Sequence, residues 1–248
     1  MPCPDWLTAQ PVAHRGLHDA ALGLMENTPP AALAAVEAGF AIECDVQLSA
    51  DGEAMIFHDF TLDRLTTASG QVDSLNAAEL AAVSFKKGEG RIVPLADYLD
   101  LIGGRVPLVI EIKSRFNGDL ALTRRTAEVV RGRTDPLALM SFDPDIVAAL
   151  HELAPDRPIG IVAEARYDGE WLKEGVTEER RVELESFLHI DRSRPDFIAW
   201  HVKDLPHTVP AMARHFGLPL LTWTVRDADD IKRAKAYADQ VIFEGWRP

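Results

Sequence analysis

Short apolar runs alternate with helical patterns along most of the chain. Residues 28–39, TPPAALAAVEAG, show the helical kind, in which Thr28 can cap the first turn, proline is tolerated at its start and Gly39 ends the helix. Alternation of strands with helices implies a parallel sheet, and about eight such units imply a closed (β/α)₈ barrel. We therefore predict an α/β chain folded as a TIM barrel.

The predicted elements follow from the period of the apolar positions. Strands are predicted at residues 11–16, 106–114, 136–142, 157–164, 196–202, 218–225 and 239–245, with two more inside 41–59. Besides 28–39, helices are predicted at residues 119–132, 143–155, 177–190, 208–217 and 227–238.

Residues 41–59, AIECDVQLSADGEAMIFHD, contain two strands where the barrel has room for one. Parallel neighbours need a crossover of about a dozen residues or more, but these two strands are joined by a short turn containing Asp51-Gly52, a hairpin signal. We expect the second strand to be an antiparallel return. It would bring His58 back to the level of Glu43 and Asp45.

Two segments interrupt the alternation. Residues 60–92 are rich in turn residues, with one weak helix at 76–83, and are predicted to be a small insertion in a single domain spanning 1–248. Residues 166–181 are unusually charged, and could form a lid, an oligomer contact or a solvated helix.

Composition excludes several classes of partner. A formal net charge of −13 argues against a nucleic-acid backbone or an anionic membrane surface. A small anionic ligand stays possible, because a metal and a few cations can reverse the field in one cleft. There is no apolar run of about 18 residues, so we expect no membrane span. Two cysteines and a start without a signal-peptide pattern indicate a reduced, cytoplasmic setting.

Charged residues interrupt strands that otherwise look buried. Glu43 and Asp45 are two apart, so both point to one face of their strand, and Glu111 and Lys113 repeat the spacing on another strand. Neighbouring anions repel unless a proton, a cationic side chain or a metal lies between them. A structural pair neutralised by Arg or Lys is the simpler interpretation. It is less suited to a set that also includes Glu111 and two histidines.

These residues converge if the barrel forms, because barrel enzymes place their chemistry at the carboxyl ends of the strands. Three carboxylates without clustered cysteines suit one divalent cation, Mg²⁺ or Ca²⁺. Arg15 and Lys113 could hold a phosphate, the first as a bidentate fork and the second as a point charge. His14 and His58 could serve as base and acid in either order.

At this point the chain resembles the glycerophosphodiester phosphodiesterase family. The resemblance covers most of the chain through an ordered set of motifs: HRG (14–16), EN (26–27), ExD (43–45), HD (58–59), LDRLTTASGQV (62–72), EIK (111–113), SF (141–142) and WTV (223–225). It implies a TIM barrel with a small insertion after the HD motif. It also implies metal-dependent hydrolysis of a small-molecule glycerophosphodiester to sn-glycerol 3-phosphate and an alcohol.

The resemblance also implies roles for individual residues. It places the metal on Glu43, Asp45 and Glu111, the catalytic pair on His14 and His58, and the phosphate on Arg15 and Lys113. It favours a site role for Glu26 and Asn27, which could otherwise form a helix entry.

Trp223 is a further candidate for substrate binding, and four other positions are weaker candidates. Trp223 could be barrel core or pocket wall, and Asp59 could orient His58 or cap a turn. His201 and Lys203 follow a strand directly and are pocket candidates. Glu244 lies where relatives usually carry an aspartate, with Phe243 and Trp246 beside it.

Two other functions fit the same residues. A lysophospholipase D-like diesterase would use the same barrel mouth, but the mostly polar insertion offers little apolar surface for an acyl chain. A catalytically inactive barrel could bind phosphorylated ligands, although two intact histidines speak against it. The alcohol, the choice of metal and the oligomeric state stay open.

Overall fold

Eight parallel strands close into a barrel in the computed structural model, which describes residues 3–167 and 176–248. In barrel order they are β1 (Val12–Ala13), β2 (Ala41–Leu48), β4 (Leu108–Ile112), β5 (Leu137–Ser141), β6 (Ile159–Ala163), β7 (Phe197–His201), β8 (Leu220–Val225) and β9 (Gln240–Phe243). The ring closes because β1 pairs in parallel with both β2 and β9. The predicted (β/α)₈ barrel is confirmed.

The remaining strand, β3 (Ala54–Ile56), is the expected antiparallel return. It pairs with β2 in a register that places Ile56 opposite Val46 and Ala54 opposite Leu48, and on its other side Met55 forms an antiparallel bridge with Pro94. Beyond β3 the pairing continues, since the Phe57 amide donates to the Asp45 carbonyl at 3.0 Å. His58 is therefore the residue after Phe57, whose backbone is hydrogen-bonded to β2 at Asp45.

The helices lie mainly between successive strands. They are α1 (Trp6–Ala9), α2 (Pro29–Ala38), α3 (Ala77–Ala82), α4 (Leu95–Ile102), α5 (Ala121–Val130), α6 (Pro144–Leu153), α7 (Glu178–Glu185), α8 (Ile190–Ser193), α9 (Thr208–His215) and α10 (Ala228–Tyr237). None of the helices in the described part of the chain is long and apolar enough to cross a membrane.

Three helical details differ from expectation. Thr28 occupies the N-cap position of α2, but its hydroxyl donates to the Met25 carbonyl at 2.6 Å and does not cap the helix. The long helix expected at 177–190 is the shorter α7, followed by turns and α8. Helix α4 was not predicted. It buries Tyr98 and Leu99 against the barrel and connects the insertion to β4.

The described part of the charged segment is attached to the barrel. Arg180 of α7 donates to Asp143 and Asp145 at the start of α6, at 2.8 Å each. Residues 168–175 of that segment lie outside the described residues, so its predicted alternatives stay predictions.

Most of the buried apolar side chains in the described residues belong to three clusters. One fills the barrel interior and a second, which includes Cys44, packs the outer face of the sheet against the helices. Residues 60–92 form a third cluster of their own, centred on Leu62, Leu80, Phe85 and Ile92, which packs against Phe57 beyond β3. The insertion thus has its own small core.

Candidate active site

A cavity of 530 Å³ opens at the carboxyl ends of the barrel strands. Strands β1, β2 and β4, with the end of the β3 return, give it a charged side formed by His14, Arg15, Glu43, His58, Asp59, Glu111 and Lys113. Strands β5, β6, β8 and β9 give it an apolar side that includes Met140, Phe142, Val162, Trp223 and Ile242. Most of the charged groups are thus gathered at one half of the barrel mouth, while Glu164 and Arg226 line the other half.

The three predicted acids form one buried cluster. Asp45 and Glu111 are direct neighbours in the β2–β4 register, and Glu43 precedes them on the same face of β2. Their carboxylate oxygens include a set that lies within 4.8 Å of one another. All three are at most 7% exposed, so their charges have little water around them.

Lys113 and Arg15 partly neutralise this cluster. Lys113 Nζ lies 2.7 Å from Asp45 Oδ1 and 2.5 Å from Glu111 Oε1, and Arg15 Nε forms a 3.3 Å ion pair with Asp45 Oδ2. Burial opposes the ionised form of Asp45, but Lys113 and the other nearby cations hold its pKa below the usual range. The same two acids raise the pKa of Lys113 despite its burial.

Glu43 is the least compensated member of the cluster. Burial, and then the charges of Asp45 and Glu111, raise the pKa of Glu43 well above its usual value. Its Oε2 accepts the Arg15 backbone N–H at 3.0 Å, while its buried Oε1 has no hydrogen-bond partner. An unsatisfied oxygen among three carboxylates fits a divalent cation, and an all-oxygen donor set fits Mg²⁺ or Ca²⁺.

The segment after β1 needs unusual backbone angles. Gly16 has φ +81°, and a Cβ there would lie 2.9 Å from the Ala31 backbone, so only glycine fits at the third position of the HRG motif. Arg15 and Asn27 also have positive φ, of 57° and 55°, and the Asn27 amide donates to the Arg15 carbonyl at 2.9 Å. This fold turns the Arg15 side chain towards the acids.

Glu26 and Asn27 support the site from behind the cavity wall. Asn27 Nδ2 donates to Asp45 Oδ2 at 2.8 Å, and the Asp45 N–H donates to Asn27 Oδ1 at 3.2 Å. Arg15 Nη1 donates to Glu26 Oε1 at 2.6 Å. Neither residue lines the cavity. They hold Asp45 and Arg15 in position.

His14 is fixed by a residue from the other end of the chain. Its Nδ1 lies 2.7 Å from Glu244 Oε2, and Arg226 Nη2 donates to the same oxygen at 2.9 Å. A carboxylate accepts, so Nδ1 carries the proton in the neutral ring and Nε2 has the free lone pair. That Nε2 lies 4.0 Å from Glu43 Oε2. Burial lowers the pKa of His14 to about 4, and Glu244 opposes that shift in part.

His58 has a similar arrangement with a local partner. Its Nδ1 lies 2.6 Å from Asp59 Oδ1. Of the two roles predicted for Asp59, this contact favours orienting His58 over capping a turn. Arg64 Nε donates to Asp59 Oδ2 at 2.6 Å, and Gln47 Nε2 donates to the His58 carbonyl at 2.9 Å. Both histidines therefore line the cavity with Nδ1 against a carboxylate, which leaves Nε2 available to a ligand.

Trp223 lies in the apolar wall. Its Nε1 donates to the Ala199 carbonyl at 2.9 Å, and its ring meets Phe142 edge-on with 5.5 Å between centroids. His201 and Lys203 do not line the cavity. His201 Nδ1 lies 3.4 Å from Asp204, and Lys203 Nζ forms ion pairs with Asp227 and Asp230.

Sequence reasoning gave no role to several polar residues at or behind the cavity, among them Gln47, Arg64, Glu164 and Arg226. Arg64 belongs to the LDRLTTASGQV motif, which marks it as a candidate, but the motif alone does not indicate which residues Arg64 contacts. Glu164 directly follows β6, at the carboxyl end where barrel residues reach the mouth, and this position is a signal that could have found it.

Comparison with known proteins points to one family. The model of the glycerophosphoryl diester phosphodiesterase family matches residues 14–243. A glycerophosphodiester phosphodiesterase of Caldanaerobacter subterraneus subsp. tengcongensis is 28% identical over 243 residues, which cover 93% of this chain and 92% of that protein.

Solved structures agree in fold. The glycerophosphodiester phosphodiesterase of Thermotoga maritima superposes with a TM-score of 0.70 at 25% identity, covering 94% of this chain and 92% of that one. A phosphodiesterase of Oleispira antarctica, solved in complex with the product sn-glycerol-3-phosphate, gives a TM-score of 0.75 at 22% identity with the same coverage. At 22% identity, the similarity to the Oleispira antarctica structure establishes the fold alone.

Proposed function

The chain belongs to the glycerophosphoryl diester phosphodiesterase family and is a phosphoric diester hydrolase, and from this premise we propose that it converts glycerophosphodiesters to sn-glycerol 3-phosphate and an alcohol. One observation carries the proposal: a buried three-carboxylate cluster and two carboxylate-held histidines face the same cavity. The family whose model matches residues 14–243 is that of glycerophosphoryl diester phosphodiesterases, which supports the choice of substrate.

We place one divalent cation, Mg²⁺ or Ca²⁺, on Glu43, Asp45 and Glu111. When bound, it would supply positive charge against the phosphate oxygens. The unpartnered Oε1 of Glu43 supports this placement, because a buried carboxylate oxygen without a donor is costly. Lys113 already contacts two of the three acids, so its ammonium must share them with the cation or turn towards the phosphate.

Arg15 and Lys113 are proposed to hold the phosphate. Both line the cavity, and Glu26 and Asp45 fix the guanidinium of Arg15 before any ligand arrives. A pre-positioned fork loses little side-chain entropy on binding an oxyanion. The acids alone would repel a phosphodiester, so these cations are needed for binding as well as for catalysis.

The two histidines are proposed to move the protons. A phosphodiester resists attack because it is anionic and its leaving alkoxide is a strong base. One ring, His14 or His58, takes the proton of the attacking glycerol 2-hydroxyl, and the other protonates the leaving oxygen. Water then opens the cyclic phosphate with the roles exchanged. The Nδ1–carboxylate contacts support this use, because they leave Nε2 of each ring free for the transfer.

The sharpest test is release of sn-glycerol 3-phosphate from a panel of glycerophosphodiesters, with EDTA added and then Mg²⁺ or Ca²⁺ restored. We expect turnover that EDTA abolishes and a divalent ion restores. Full activity in EDTA would overturn the metal assignment. Tight binding without turnover at any metal concentration would favour a non-catalytic binding barrel.

Lysophosphatidylcholine belongs in the same panel. The apolar wall around Phe142 and Trp223 could contact an acyl chain. Of the larger apolar residues of the insertion, Phe60 also lines the cavity, but Leu62 and Phe85 are buried in its own cluster and offer no such surface. We expect glycerophosphocholine to be turned over much faster than lysophosphatidylcholine, and the reverse order would favour the lysophospholipase D-like alternative.

A further inference from the structure

Arg64 in the insertion donates four hydrogen bonds to two carboxylates at the edge of the site. Nε and Nη2 donate to Asp59 at 2.6 and 3.0 Å, and Nη1 and Nη2 donate to Glu26 at 2.9 and 2.8 Å. Each carboxylate is thus gripped at both oxygens by one planar guanidinium. Such charge-assisted forks are among the more directional interactions available to side chains.

Each of these carboxylates also holds a residue of the hydrolytic site. Asp59 Oδ1, which accepts from Arg64, contacts Nδ1 of His58 at 2.6 Å. Glu26 Oε1, which also accepts from Arg64, accepts from Arg15 at 2.6 Å. Arg64 therefore lies between a proton-transfer residue on one side and a phosphate-binding residue on the other, although it does not line the cavity itself.

His58 needs such support more than His14 does. The His14 side chain is 10% exposed and is enclosed by barrel strands, while the His58 side chain is 30% exposed and follows the short return strand. The arginine behind His14 is less engaged, since Arg226 makes one hydrogen bond to Glu244. Packing fixes the first ring, whereas hydrogen bonds must fix the second.

We infer that Arg64 is a positioning residue of the hydrolytic site, which holds Asp59 against His58 and Glu26 against Arg15 and so makes the insertion part of the catalytic unit. The inference rests on the proposed function and deepens it. Without Arg64, Asp59 loses two donors and can turn to solvent, leaving the His58 ring free to rotate. Arg15 keeps its contacts with Glu43 and Asp45, so substrate binding suffers less than turnover.

The test compares Arg64→Gln with Arg125→Gln. Arg125 is a matched control, because it also binds two carboxylates, Glu53 and Glu128, but on a part of the surface away from the cavity. We expect Arg64→Gln to lower kcat about 10–100-fold, the usual cost of losing a group that orients a catalytic ligand, with a much smaller change in KM. Arg125→Gln should leave both constants near wild type, and Arg64→Lys should recover part of the loss.

Two further readouts separate positioning from a general structural effect. A double-mutant cycle with Asp59→Asn should be strongly non-additive, because Arg64 acts through Asp59. Nitrogen-15 NMR of labelled histidine should show the His58 proton on Nδ1 in wild type and a mixture of tautomers in Arg64→Gln. The NMR readout does not depend on turnover, so it distinguishes failure of this inference from failure of the proposed function.

Arg64→Gln with wild-type kcat would overturn the inference, as would equal losses in Arg64→Gln and Arg125→Gln. Additive effects of Arg64→Gln and Asp59→Asn on kcat would also contradict it, since they would show that the arginine acts by another route.

Discussion

The two sides of the cavity build the same chemical unit in different ways. His14 comes from the end of β1, and its carboxylate, Glu244, lies 230 positions away just past β9. His58 and its carboxylate, Asp59, are adjacent in sequence and continue from the return strand. Closure of the barrel makes the first pair, while local chain and the insertion make the second. The barrel alone thus supplies half of the proposed acid–base machinery.

This difference predicts different sensitivities on the two sides. Changes that loosen the insertion should affect His58 and leave His14 in place. Changes in the shared acid cluster between them should disable both sides together.

Removing a shared acid should have the largest effect. In Glu43→Gln the side-chain oxygen can still accept from the Arg15 amide, so we expect the fold to survive. Loss of the metal's charge stabilisation costs several kcal/mol, so turnover should fall about 10³-fold or more. Thermal unfolding supplies a second readout. Wild type should gain about 2.7 kcal/mol at a metal concentration of 100 times Kd, and the variant should gain much less. Equal metal-induced stabilisation of the two proteins would show that Glu43 is no ligand.

Removing one histidine should cost less and should distinguish the sides. His14→Ala and His58→Ala should each lower kcat about 10²–10⁴-fold, with metal binding retained. Added imidazole should restore part of the activity of His58→Ala, since that ring is the more open of the two, and little of His14→Ala. Rescue of His14→Ala but not of His58→Ala would contradict the view that the His14 site is the more enclosed of the two.

Glu26 joins the two sides, and its loss should appear mainly in stability. Although burial opposes it, hydrogen bonding to Arg64 and the charge of Arg15 lower the pKa of Glu26 to about 2. Because the folded pKa lies below the unfolded value, the stabilisation is complete above pH 4.5 and is lost as pH falls towards 2. At pH 7 we expect Glu26→Gln to reduce the free energy of unfolding by about 1–3 kcal/mol.

Urea unfolding of wild type and Glu26→Gln at pH 7 and pH 3 measures this. The difference should shrink at pH 3, and Glu37→Gln, an exposed change on α2, should stay within about 0.5 kcal/mol of wild type at both values. A difference of the same size at pH 7 and pH 3 would contradict a role for the Glu26 charge.

The sequence predicted well wherever the determinant was local. Strand and helix periods predicted the barrel, and the Asp51-Gly52 turn predicted the antiparallel return. The two-residue spacing of Glu43 and Asp45 predicted a shared face, and the parallel sheet then placed Glu111 beside them. These inferences need only the alternation of side chains along a strand and the short connections of the barrel.

Features that depend on distant partners were harder to predict. Glu244 was singled out as a substitute for an aspartate, but its contact with His14 exists only once the barrel closes. His201 and Lys203 lie at a strand end, yet nearby aspartates engage both of them outside the cavity. Helix α4 was missed because it begins without a side-chain cap, directly after the turn-rich insertion. The single-domain organisation and the cytoplasmic location stay predictions.

The most direct test of the proposed chemistry asks whether the two histidines do different work. A glycerophosphodiester with a nitrophenol leaving group needs little protonation of its leaving oxygen. Measured against glycerophosphocholine, kcat on the nitrophenyl substrate should recover strongly in whichever of His14→Ala and His58→Ala lacks the acid, and stay low in the variant that lacks the base. Equal losses in both variants on the nitrophenyl substrate would contradict a division of acid and base between the two sides.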